Sequence, residues 1–141
     1  MKEAPEQKSI VQEWLRFARE NLLFAKAGLK EDFSPYNTVC FLCQGSAEKY
    51  LKGFLITRGW RLKKTHDLIE LLGAAVEYEH AFTQLKSSAQ ILNDYISEAR
   101  YPGDLSFETL TESNATEAVE AAERIEEFVL EKLASEAGKT S

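Results

Sequence analysis

S-P-Y-N-T-V-C-F-L-C-Q-G-S-A-E-K-Y-L-K-G-F-L-I-T-R-G, residues 34–59, is the stretch around which the rest of the chain is arranged. Ser34 before Pro35 is the pattern of a helix cap followed by proline at the first helical position, where its missing N–H costs nothing. Gly59 is a natural stop. Between them Tyr36, Val39, Cys40, Cys43, Ala47, Tyr50, Leu51 and Phe54 recur at steps of three and four, one apolar face of a long helix. Off that face, Glu48, Lys49 and Lys52 form a charged cluster one turn wide. The following R-L-K-K-T-H-D-L-I-E-L-L, residues 61–72, predicts a shorter helix from Thr65 to about Val76. His66 and Asp67 fall in its first turn, and Leu68, Leu71 and Leu72 hold it to a core.

The flanking segments repeat the same period. Ser9 can cap a helix to about Gly28, with Val11, Trp14, Leu15, Ala18, Leu22 and Ala25 on its buried stripe and Ile10, Phe17 and Phe24 widening it. Phe82, Leu85, Ala89, Leu92, Tyr95 and Ile96 predict a fourth helix over about Ala81–Ala99, stopped by Arg100-Tyr101-Pro102-Gly103. The last helix is expected to begin at Asn114, with Glu117 in capping-box spacing. Ala118, Ala121, Ala122, Ile125, Phe128, Val129 and Leu133 form its apolar face. The expected fold is all-α: an antiparallel up-and-down bundle of four long helices and one short helix, in a single domain over 1–141. Its core spans about 9–133, with 1–8 and 134–141 expected to be disordered.

Composition agrees with this reading and removes some functions. The 141 residues suffice for one core, and 3 prolines and 7 glycines leave long stretches uninterrupted. A net charge of −6 argues against a general nucleic-acid binder, although a local basic patch is compatible with it. No apolar run is long enough to span a membrane, and the N-terminus lacks a signal-peptide core, so a cytoplasmic protein is expected. Cys40 and Cys43 form a C-x-x-C inside a helix, with no second pair and no preceding strand. They read as buried structural thiols. Glu77 and His80 have the spacing of carboxylate-bridged metal bundles, but only one such motif is present, and no metal is expected.

The remaining polar residues are candidates for chemistry. Arg58, Arg61, Lys63 and Lys64 crowd a connector that reads equally as a solvated loop or as a phosphate-facing one. His66 beside Asp67 reads as a tuned proton carrier or as a half-exposed ring beside a helix-capping carboxylate. Asn93, Asp94, Glu98, Arg100 and Tyr101 close the fourth helix. An arginine beside an aromatic ring there suits a phosphate and a stacked base.

In order along the chain, W-L-R-F-A-R-E-N-L-L-F-A, Q-G-S-A-E-K-Y-L-K-G-F-L, T-H-D-L-I-E-L-L and L-N-D-Y-I-S-E-A-R-Y-P-G resemble the HEPN family, the higher-eukaryote and prokaryote nucleotide-binding domain. The resemblance covers about residues 9–133. It implies an up-and-down helical bundle, a homodimer, and a prokaryotic protein encoded beside a minimal nucleotidyltransferase in a two-component, toxin–antitoxin-like system. Some members cleave RNA through Arg-x(4–6)-His. Here Arg100 matches the arginine, but no histidine occurs beyond His80, and Gly45 stands where alanine is common.

The expectation is therefore a protein without catalytic residues or cofactor. It would bind a nucleotide such as ATP or GTP, or an RNA end, and serve as accessory partner to the nucleotidyltransferase. Lys49, Lys52 and Arg100 would pair with phosphate oxygens beside His66, Tyr101 would stack, and Asp67 would orient His66. The alternatives are an RNA-cleaving toxin using His66 as its base and a pure dimerisation module.

Overall fold

The computed structural model describes residues 5–100 and 110–139, with side chains for 7–95 and 110–136. Arg100 closes a helix, but its side chain and all of Tyr101 lie outside the described residues. The elements are α1 (Pro5–Gly28), α2 (Tyr36–Thr57), α3 (Leu68–Tyr78), a 3-10 helix (His80–Leu85), α4 (Lys86–Arg100) and α5 (Glu112–Lys139). No strand occurs among the described residues. The all-α bundle of four long helices and one short one is what the periodicity predicted.

Helix α2 is the axis of the molecule and packs against α1, α3, α4 and α5. It is accordingly buried on nearly every side from Val39 to Ile56, as an all-round buried helix in a bundle must be. Its large side chains Tyr50, Leu51, Phe54 and Leu55 are fully covered. Phe54 meets Phe82 with ring centroids 4.5 Å apart, and Phe82 meets Phe128 edge-on at 4.8 Å. This tilted trio joins α2, the 3-10 helix and α5, in the geometry aromatic rings prefer. Cys40 and Cys43 are buried and not joined in a disulfide, and burial pushes the Cys43 thiol up.

Helices α1 and α2 run antiparallel and close. Gln7 Nε2 donates to the Ile56 carbonyl, and Ser46 Oγ donates to the Ala18 carbonyl at 2.8 Å. The Ser46 bond satisfies a hydroxyl that would otherwise be buried alone. At Gly45 a Cβ would lie 3.1 Å from Asn21 Oδ1 and 3.3 Å from Lys49 Nζ. Glycine there leaves room for the Lys49–Asn21 hydrogen bond.

Several boundaries differ from the sequence reading. Pro35, not Ser34, is the cap of α2, and no side chain bonds to its first turn. Ser34 sits at φ 55, in the left-handed region, where it turns the chain instead of capping it. At the other end Gly59, φ +85, permits the turn that returns the Gly59 and Trp60 N–H groups to the Ile56 and Leu55 carbonyls.

The expected fourth helix is two elements, because Phe82 and Leu85 are three apart and that spacing fits a 3-10 turn as well as an α-turn. Glu79 is extended between Glu77 and His80, so those two share no helix face. Helix α5 starts earlier than Asn114, because the reciprocal cap lies between Thr111 and Asn114. The Thr111 N–H donates to Asn114 Oδ1, and the Asn114 N–H donates to Thr111 Oγ1. Glu117 instead accepts from the Tyr95 hydroxyl at 2.9 Å. The end helices also reach beyond the expected core, to Pro5 and to Lys139.

Candidate functional site

One stripe of α2 is polar and still buried. Gln44, Glu48 and Lys52 follow one another at four-residue steps, so they stack along a single face. Glu48 is 7% exposed and Lys52 3%. Lys52 Nζ donates to Glu48 Oε2 at 2.8 Å, and the same ammonium lies 5.6 Å from the Trp14 ring centre. Indole and carboxylate together compensate part of its lost hydration.

The other carboxylate oxygen, Oε1, is 2.8 Å from His66 Nδ1. Gln44 Nε2 reaches that oxygen at 3.3 Å and the His66 carbonyl at 3.1 Å, so one amide ties both the acid and the histidine backbone. Burial pushes the Glu48 carboxyl up, but the hydrogen bonds from Lys52 and His66 outweigh it and hold the group below the usual carboxylate range. The His66 side chain is 56% exposed. With Nδ1 facing Glu48, Nε2 is the nitrogen left for a ligand.

The carboxylate at His66 is thus Glu48, and Asp67 has a different task. Asp67 caps α3, accepting from the Ile69 and Glu70 N–H groups at 2.9 and 3.3 Å. Asn93 completes that end from α4. Its Oδ1 accepts from the Leu68 N–H at 2.9 Å, and its Nδ2 donates to Asp67 Oδ1 at 3.2 Å. His66 and Asp67 therefore precede α3 instead of lying in its first turn.

Lys49 sits one residue from Glu48 but turns to Asn21 Oδ1 at 2.8 Å, and burial lowers the pKa of its ammonium. Of the expected contact residues, the structure brings Lys52 and His66 together through Glu48. It places Lys49 beside α1 and Asp67 at the helix cap. The expected contacts from Arg100 and Tyr101 fall outside the described side chains. Gln44 is the residue the sequence reading missed, and Glu48 stood in its charged cluster with Lys49 and Lys52 without being given a contact. Their signal was the polar stripe 44–48–52, three hydrophilic residues at four-residue steps on a mostly apolar helix.

Chemically, the arrangement is an imidazole pinned by a buried carboxylate whose charge a buried lysine neutralises. Such a ring keeps its orientation and can donate to an anion or accept a proton at Nε2. A second surface lies on α1, where Ile10, Phe17 and Phe24 are 50, 43 and 64% exposed at seven-residue intervals.

A five-helix bundle built on one buried central helix, with a polar stripe opening to a histidine, defines the class of protein. The HEPN domain model matches residues 11–133, and the chain belongs to that family. Two solved structures are similar. TT1696 from Thermus thermophilus shares 32% identity at a TM-score of 0.76, covering 86% of this chain and 97% of that one. ST0689, an archaeal HEPN homologue, shares 25% identity at a TM-score of 0.67, covering 86% and 96%. No curated protein matches. Among the described residues, no helix is long and apolar enough to cross a membrane.

Proposed function

We propose that this HEPN protein is a non-catalytic, cytoplasmic, homodimeric accessory partner of a minimal nucleotidyltransferase in a two-component, toxin–antitoxin-like system. It binds a nucleotide or an RNA end on behalf of that enzyme. The observation that carries the reading is the His66 imidazole held on Nδ1 by buried Glu48, with more than half of its side chain exposed. When the ring is protonated, its Nε2–H is a charged donor suited to a phosphate oxygen. The Arg-x(4–6)-His pair of the family's ribonucleases has no second member here, since no histidine follows His80. The exposed Ile10, Phe17 and Phe24 along α1 support the homodimer, because an apolar patch of this kind on one face calls for a covering surface.

Two measurements test it. Calorimetry with ATP and GTP should show His66→Ala weakening binding at least about tenfold, with an unchanged melting temperature. Equal affinity in both proteins removes His66 from the site. Affinity purification from source cells should return a nucleotidyltransferase, and its absence from the eluate removes the accessory role.

A second reading is favoured by the same pair. A carboxylate on Nδ1 is how a histidine base is oriented and its imidazolium stabilised. His66 would then take the 2′-hydroxyl proton in RNA cleavage. Failure of the purified protein to cleave any RNA eliminates this reading, and so does cleavage that survives His66→Ala.

A further inference from the structure

The connector between α2 and α3 is fastened at both ends. At its start the Trp60 N–H bonds to the Leu55 carbonyl at 3.1 Å. At its finish the His66 carbonyl is held by Gln44, and the His66 ring faces Glu48. Those anchors are seven to eleven residues apart on α2, which is roughly 10–16 Å along a helix. Six residues of fully extended chain reach about 20 Å, so the strap runs back along α2 in a largely open path. No regular element occurs within it.

Arg61, Lys63 and Lys64 are all exposed on this strap. None of them makes a hydrogen bond or ion pair among the described residues. By contrast Arg58, just before the strap, is paired with Glu136, and Lys26 is paired with Glu123. In a chain of net charge −6, three cations within four positions, unpaired among the described residues, on a strap anchored at both ends are a local reversal of field. The N-terminus of α3 is not the anion site, because Asp67 and Asn93 already fill it.

We propose that the strap 60–66 is a track for the phosphodiester backbone of a single-stranded nucleic acid, with Arg61, Lys63 and Lys64 on successive phosphates and His66 at its end. This deepens the nucleotide reading above and rests on it for the role of His66. The spread of the cations along an open path, instead of around a cavity, selects a strand over a mononucleotide. Flexible cationic side chains with no base-reading partner make the contact tolerant of sequence.

The test is fluorescence anisotropy with a labelled oligouridylate of about a dozen nucleotides, in a salt series. Three neutralised phosphates on a single strand give a slope of log K against log salt of about −2. Affinity should therefore fall about 15-fold between 50 and 200 mM salt. The triple variant Arg61→Ala, Lys63→Ala, Lys64→Ala should lose binding and flatten that slope, while Lys63→Arg with Lys64→Arg should keep both. A flat wild-type slope, or a triple variant that binds like wild type, overturns the proposal. An acidic peptide or phosphatidylserine vesicles that compete as well as an unlabelled strand of equal charge also overturn it.

ATP binding measured beside it separates the two readings. Intact ATP binding with no strand binding overturns the track alone. Strand binding without ATP binding supports the track and removes the mononucleotide.

Discussion

Two faces of α2 use opposite physics. Toward the 3-10 helix and α5, Phe54 leads into a stack of rings whose only requirement is to fill space out of water. Along the 44–48–52 stripe, each buried group depends on a named partner: Lys52 on Glu48, Glu48 on Lys52, Gln44 and His66. The first arrangement is stabilising by area and forgiving of chemistry. The second is costly to bury, and an apolar stripe of similar volume would hold the bundle as well or better. A buried polar stripe that the fold does not need points to the exposed end of the chain of contacts, His66, as the reason for its presence.

The comparison can be broken by mutation. Phe82→Ala removes the middle ring of the trio and should cost about 3–5 kcal/mol, measured by urea denaturation. A loss under about 1 kcal/mol would mean the trio repacks and is not the stronger half of the helix. Glu48→Ala strands a buried ammonium and should cost about 3 kcal/mol, at the lower end for a broken buried pair because the His66 side opens to water.

The sharper experiment replaces both members. Glu48→Leu with Lys52→Met should recover most of that loss, and a double variant as unstable as the single would show that the pair itself supports the fold. In either background His66→Ala should leave stability within about 0.5 kcal/mol, since its ring is more than half exposed.

Glu48 also predicts a pH signature. Its folded carboxyl titrates below the ordinary value of 4.5, so the folded state favours the charged form. That stabilisation is fully present above pH 4.5 and is lost as pH falls through the lower folded value. Acid denaturation of wild type should therefore be steeper there than that of Glu48→Gln, and superimposable curves would deny the pair its electrostatic role. A smaller loss than at Phe82 or Glu48 belongs to the cap: Asp67→Ala should cost about 1 kcal/mol, visible as a shift in melting temperature with ligand binding retained. A large loss of binding in that variant would return Asp67 to the site.

The fold was legible because each long helix carries its own period. A helix packed on all sides leaves few interpretations, and α2 is the most apolar stretch of the four long helices. The ends were less legible. Ser34-Pro35 satisfies a capping pattern by residue type alone, while the φ of 55 at Ser34 depends on the turn that brings α1 back onto α2. The break before α4 was hidden because a three-residue spacing serves two kinds of helix.

The site was half legible. His66 and Lys52 announced themselves as polar residues near helix ends and charged faces. Glu48 stood in a charged cluster with Lys49 and Lys52, and sequence spacing gives the neighbour at four residues but not the depth at which both lie. Asp67 adjoins His66 in sequence and so attracted the role of its orienting acid. Across the fold, the acid that reaches the ring is 18 residues away.

The close seam between α1 and α2 has a consequence for how the chain folds. The Ser46–Ala18 and Lys49–Asn21 bonds join residues 28 apart across a short turn, so the loop that must close to form them is small. Closure entropy rises with loop length, and contacts made across short loops are reached early. The hairpin is therefore the expected folding nucleus, with α5, which joins α2 from the far end of the chain, arriving last. Destabilising changes in the hairpin seam should slow folding, whereas those on the α5 face should chiefly speed unfolding.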